Sequence, residues 1–170
     1  SLTDMAAGNL RVSSIKNVDI EDLLQRETAK IDREDVRGFL EGKKVMVTGA
    51  GGSIGAELCR QIALYKPDTL LLFEVSEYAL YTAERDLRER FPRLRIVPFC
   101  GDIRHPEEIR DAIDRCSGVD IIYHAAAYKH VPLMELNVPA AFRTNVLGAA
   151  RLADVAVDRG VERVVMISSD

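Results

Sequence analysis

Val45-Met46-Val47-Thr48-Gly49-Ala50-Gly51-Gly52-Ser53-Ile54-Gly55 decides how this chain is read. An apolar run ends in a cluster of glycines, and an amphipathic helical pattern starts at once behind them. The spacing Gly49-x-x-Gly52-x-x-Gly55, preceded by Thr48, predicts a strand that turns sharply into a helix. The first glycine permits the tight turn, the middle one lets backbone N–H groups approach a phosphate, and the last lets the helix pack close to the strand. Ser53 and Ile54 fall in the first turn of that helix, where free N–H groups and the positive dipole end face an anion. Between a strand and a helix, this pattern predicts a dinucleotide-binding loop rather than a bare tight turn.

Outward from that stretch the sequence alternates. Strands are expected at residues 45–48, 69–74, 94–99, 119–123 and 163–168. Helices are expected at residues 53–65, with Ile54, Leu58, Ile62 and Tyr65 on one face, and at 77–91, with Leu80, Ala83 and Leu87 inward. Two more follow at 106–116, with Pro106 in the first turn, and at 139–158, closed by Gly160. The run 69–74 is continuously apolar, as in a parallel strand buried on both faces. Short connections between alternating strands and helices predict an α/β fold of the Rossmann type, a doubly wound parallel sheet of order 3-2-1-4-5. Residues 1–42 read as a leader with two short helices, one capped by Asp19 and one from about Asp32, and residues 43–170 as the nucleotide-binding domain. The chain stops two residues after Ser168, with no helix to cover that edge. A piece of a longer protein, incomplete at its C-terminus and lacking a substrate domain, is therefore expected.

The 170 residues carry a net charge of −4, with 47% hydrophobic and 29% charged residues. Acidic and basic residues are interspersed, which argues against nucleic acid as a partner. Cys59, Cys100 and Cys116 lack metal or disulfide spacing and suit a reducing, cytoplasmic compartment. No apolar run reaches the length of a membrane span. His105, His124 and His130 form no ligand set with them, so no metal site is expected, and His124 reads as a packed, hydrogen-bonded residue.

The remaining candidates lie at strand ends. Glu74 closes strand two, where a carboxylate accepts hydrogen bonds from the adenosine ribose and repels the extra phosphate of NADP; NAD is the expected cofactor, NADP the lesser alternative. Asp102 would accept from the adenine amino group and Ile103 lie on the ring. Ala125, Ala126 and Ala127 are small enough for backbone to pass close to the cofactor. Lys129 either contacts a substrate phosphate or is a surface lysine. Asn145, unfavourable in mid-helix, either bonds backbone near strand four or belongs to the site. Ser168, Ser169 and Asp170 emerge from strand five beside the expected nicotinamide position, with a hydroxyl and a carboxyl suited to acid–base work. The pair Tyr-x-x-x-Lys is absent from the sequence.

Val47–Gly55 with Glu57-Leu58-Cys59-Arg60-Gln61-Ile62, His124-Ala125-Ala126-Ala127-Tyr128-Lys129-His130-Val131-Pro132-Leu133-Met134-Glu135 and Thr144-Asn145-Val146 together resemble the bacterial nucleotide-sugar 4,6-dehydratases of polysaccharide biosynthesis, within the extended short-chain dehydrogenase/reductases. Ile20-Glu21-Asp22-Leu23-Leu24 is similar to the segment that follows the membrane part in their large, membrane-anchored branch. The resemblance implies a lyase acting on UDP-N-acetylglucosamine: hydride leaves sugar C4, water is lost across C5 and C6, and hydride returns to C6. It assigns the polarising hydroxyl to Ser169 and the acid to Asp170. It further implies that the 170 residues alone are inactive, that the whole protein can be membrane-anchored at the cytoplasmic face, and that it can form homo-oligomers. A sugar-nucleotide epimerase and a non-catalytic NAD-sensing module are the alternatives.

Overall fold

Thr69–Glu74 is buried at every position, which requires a neighbour on each side and a layer on each face. The computed structural model describes residues 33–168, and there this strand lies between two others in a five-stranded parallel sheet. The strands are β1 (Lys44–Thr48), β2 (Thr69–Glu74), β3 (Arg95–Cys100), β4 (Ile121–His124) and β5 (Arg163–Met166), in spatial order β3-β2-β1-β4-β5. The helices are α1 (Arg33–Leu40), α2 (Ser53–Leu64), α3 (Glu77–Arg90), α4 (Pro106–Arg115), α5 (Val131–Glu135), α6 (Val138–Ala141) and α7 (Ala149–Asp158), with a π-wound stretch, Phe142–Gly148, joining the last two. The expected sheet order is the observed one. The expected helix capped by Asp19 lies outside the described residues.

Alternation along the strands feeds two cores, one on each face. Met46, Leu71, Phe73 and Ile122 pack with α4 and α7 through Ile109, Ile113, Leu152 and Val155. Val45, Val47, Leu70, Leu72 and Ile121 pack with α2 and α3 through Cys59, Ile62, Leu80 and Leu87. Leu40 of α1 belongs to this second core, so the helix placed in the leader packs with the sheet. β3 is an edge strand, the position that tolerates Pro98 and its missing N–H.

Several boundaries differ from expectation. Ile54 does not join the buried stripe of α2; it is 51% exposed, and Gly55, Cys59, Ile62 and Ala63 form the buried face instead. β4 starts at Ile121 rather than Val119, because the Asp120 carboxylate and N–H both bond the Lys44 backbone and hold the strand's entry. His124 is thus the last residue of the strand. Residues 131–135, outside the helices expected from the sequence, form α5, with Pro132 in its first turn. The long helix expected over 139–158 is one helical run from Val138, but its middle is π-wound. Gly160 ends it at φ 66°, with the Gly160 and Val161 N–H groups donating to Val157 and Ala156 carbonyls.

Candidate functional site: the cleft at the strand ends

Parallel pairing brings the C-terminal ends of the strands to one edge: Thr48 lies opposite Phe73 and His124, and Glu74 opposite Cys100. Loops leaving that edge line a cleft of about 290 Å³. Its walls come from the glycine loop, from Phe73–Val75 and Ala79, from Gly101–Arg104, from Ala125–Tyr128, and from Thr144 of the π-wound stretch. Clefts at this edge of an open α/β sheet are where ligands bind.

The glycine loop is shaped by close approaches. Gly49 has φ 66°, and a side chain there would also meet the backbone of Ala125 and Ala126 at 2.8–2.9 Å. A Cβ on Gly55 would lie 2.0 Å from the Gly49 carbonyl oxygen, so only glycine lets α2 start this close to the loop. Gly52 caps α2 without a side-chain hydrogen bond. The first-turn N–H groups of Ser53, Ile54 and Gly55 therefore face the loop without a side-chain cap, the arrangement that receives an anion at a helix start.

Glu74 is only 9% exposed, yet its carboxylate is not idle. One oxygen accepts the Gly51 N–H and the other the Ser76 N–H, both at 3.0 Å, tying the glycine loop to the start of α3. Each oxygen keeps a further acceptor position. Ser76 in turn caps α3 by accepting the Ala79 N–H.

At the far end of the cleft, Asp102 and Arg104 form a closed ring. Asp102 accepts the Arg104 N–H at 2.8 Å and its guanidinium Nε at 3.0 and 2.8 Å. Burial would push the Asp102 carboxyl upward; the Arg104 hydrogen bonds outweigh it and hold it below the usual carboxylate range. Ile103 is buried and touches the position a side chain on Gly148 would fill. The cleft thus contains the predicted Gly49, Gly52, Glu74, Asp102, Ile103, Ala125, Ala126 and Ala127.

The other predicted residues lie elsewhere. Asn145 accepts the Tyr128 N–H at 2.9 Å and donates to the Tyr128 carbonyl at 2.8 Å, so its side chain clamps the backbone of the cleft wall. Lys129 and Ser168 are exposed and do not line the cleft. Ser169 and Asp170 lie outside the described residues. His124 is 6% exposed with its Nδ1 2.7 Å from Thr48 Oγ1, and burial pushes its pKa down. Among the described residues no group of His, Cys, Asp and Glu is placed to hold a metal, and no helix is long and apolar enough to cross a membrane.

Thr144 is the residue that sequence reasoning passes over in favour of its neighbour Asn145. It lines the cleft, and its Oγ1 is buried without a hydrogen-bond partner, alone in this among the described residues. An orphaned buried hydroxyl costs about 1–3 kcal/mol and is itself a signal that a partner arrives. π-Wound turns cluster at functional sites, but nothing in a 3.6-residue period announces one.

Comparison with known proteins follows the same lines. The chain is 37% identical over 171 residues to the capsular polysaccharide biosynthesis protein CapD of Staphylococcus aureus, covering all of this chain and 28% of that protein. It is 30% identical over 133 residues to a UDP-N-acetylglucosamine 4,6-dehydratase (inverting) of Campylobacter jejuni serotype O:23/36 (78% of this chain, 38% of that protein). It is 31% identical over 132 residues to a UDP-glucose 4-epimerase of Rickettsia massiliae (75% and 37%). Among solved structures, a double mutant of the dTDP-glucose 4,6-dehydratase DesIV of Streptomyces venezuelae, with NAD bound, superposes with a TM-score of 0.62 at 34% identity, over 74% of this chain and 39% of that one. The chain thus spans well under half the length of these relatives. Residues 45–170 match the polysaccharide biosynthesis protein family, and the chain belongs to that family, whose relatives include sugar-nucleotide dehydratases and epimerases.

Proposed function

We propose that this chain is the NAD-binding part of a nucleotide-sugar 4,6-dehydratase that converts UDP-N-acetylglucosamine to its 4-keto-6-deoxy product in surface polysaccharide synthesis. The observation that carries the reading is the cleft that sets Glu74 between the glycine loop and Gly101–Arg104. The cleft and the helix start beside it fit a dinucleotide: backbone packed so closely that Gly49 and Gly55 admit no Cβ, first-turn N–H groups of α2 with no side-chain cap, and an orphaned hydroxyl in the wall.

Gly49, Gly52 and the first turn Ser53–Gly55 would receive the pyrophosphate. The free acceptor positions of Glu74 suit a ribose diol, and a second phosphate there would meet its charge, which favours NAD over NADP. Asp102 and Ile103 would hold the adenine, Ala125–Ala127 pass beside the ribose and pyrophosphate, and the Thr144 hydroxyl gain its missing partner. Asn145 serves by holding the Tyr128 backbone. Ser168, at the end of β5, would lie on the nicotinamide side and Lys129 would meet a substrate phosphate. When bound, the nicotinamide supplies a reversible hydride acceptor for the sugar C4 hydrogen. Ser169 would orient and polarise the C4 hydroxyl, and Asp170 would give a proton to the departing C6 hydroxyl. Base and uridine contacts would come from the rest of the longer protein, so the 170 residues alone should bind cofactor without turning sugar over.

Two measurements test this. The natural longer protein, given UDP-N-acetylglucosamine and NAD, is expected to release water from the sugar, seen as a mass loss in the product. An unchanged mass with inversion at C4 would instead establish an epimerase, the reading favoured by the Rickettsia relative. For the chain itself, NAD should raise the melting temperature more than NADP, and Glu74→Gln should narrow that difference; a larger upshift with NADP overturns the role given to Glu74.

A further inference from the structure

The Asp102–Arg104 ring is more elaborate than a carboxylate that merely accepts a hydrogen bond requires. Asp102 is fixed at both ends: its N–H donates to Glu108 at 2.7 Å, and both carboxylate oxygens are held by Arg104. Arg104 is itself anchored, because its carbonyl accepts from the Arg151 guanidinium of α7. Both residues line the cleft, with side chains 16% and 36% exposed. The charged groups around the carboxylate are Arg104 and His105, with Glu108 on its N–H and Arg151 behind. The guanidinium edge carrying Nε and Nη2 is committed to the carboxylate, in the fork geometry that fixes orientation as well as charge.

We propose that Arg104 is a positioning residue for base selectivity: it locks the Asp102 carboxylate as a pure acceptor at the base end of the cleft. A purine with an amino group at C6 then donates to the carboxylate, whereas one with a carbonyl at C6 sets a second acceptor against it and has its nearest donor, N1–H, one ring position away. The inference rests on the dinucleotide reading above and adds the nucleobase discrimination and the residue that enforces it. An unlocked carboxylate would rotate, take up water or accept a proton, and each of these relaxes the discrimination.

The test is titration of the chain with NAD and with nicotinamide hypoxanthine dinucleotide, the same cofactor with the C6 amino group replaced by a carbonyl. The unaltered chain should prefer NAD by on the order of tenfold, the effect of exchanging one charge-assisted hydrogen bond for two facing acceptors. Arg104→Ala should reduce this preference to about twofold, chiefly through weaker NAD binding. Arg104→Lys keeps the charge but not the fork and should fall between. Equal weakening of both dinucleotides in Arg104→Ala, which a merely structural role would produce, overturns the proposal, as does equal binding of both by the unaltered chain. If Arg104→Ala does not fold, an unchanged preference in Arg104→Lys overturns it. Binding of neither dinucleotide by the unaltered chain refutes the proposed function instead.

Discussion

The two halves of the sheet are built to different standards of closure. From β1 to β3 the strands and helices are regular; β2 is buried throughout, and the Glu74 and Asp102 carboxylates are already held by hydrogen bonds within the chain. From β4 to β5 the helical run is π-wound, Thr144 Oγ1 lacks a partner, and β5 is largely exposed. Phe142, Val146, Met166 and Ile167 present apolar surface there as well. The first half is a rigid cradle whose geometry local contacts determine. The second carries what is left to be completed by something else, and a π turn is the device that swings one hydroxyl into the cleft.

If that contrast is right, the most severe damage comes from crowding the cradle. Gly55→Val should abolish the NAD-induced rise in melting temperature and lower the melting temperature of the chain by roughly 5–10 °C, since the new Cβ collides with backbone that cannot yield. Retained binding, seen by calorimetric titration, would show the cradle to be less rigid than drawn.

The opposite signature is expected in the second half. Thr144→Val removes the orphaned hydroxyl at nearly constant shape, so the free chain should melt at the same temperature or slightly higher. NAD affinity should fall about fivefold, by roughly 1 kcal/mol for one lost hydrogen bond, while Thr144→Ser keeps it. Parallel losses of stability and affinity would place Thr144 with the rigid half.

The smallest effect joins the halves, at the Thr48–His124 contact between β1 and β4. Burial lowers the folded-state pKa of His124, so near and below its ordinary value of 6.5 the unfolded chain binds the extra proton. The stability from keeping this ring neutral is complete above that pH and is lost as pH falls toward the folded-state value. Melting temperature should rise by a few degrees from pH 5 to pH 7, and less in His124→Gln. An equal rise in the variant would assign the dependence to other groups.

The same division governs what the sequence makes legible. In the cradle, hydrophobic runs, glycine spacing and strand-end acids are local signals, so β1 to β3, Gly49–Gly55, Glu74 and Asp102 can be read in place. In the second half the decisive features are tertiary. Whether Asn145 or Thr144 faces the cleft depends on one residue of extra winding, which no residue type announces. α5 is only five residues long, too short for a hydrophobic period to mark it. Ile54 shows the limit within the cradle itself: an apolar residue at helical spacing, left exposed because the glycine-rich first turn faces the loop rather than the core.

The Glu74 carboxylate bears on how fast and how tightly a ligand is captured. Because it fastens Gly51 and Ser76 together, the loop is ordered before binding, and immobilising each backbone residue takes about 1–2 kcal/mol of entropy. That ordering is completed at folding rather than at encounter, so the proposed dinucleotide would meet a finished surface rather than a loop still to be closed. A neutral side chain at position 74 would therefore act twice, on the proposed contact with ribose and on the readiness of a loop whose Gly51 N–H Glu74 accepts.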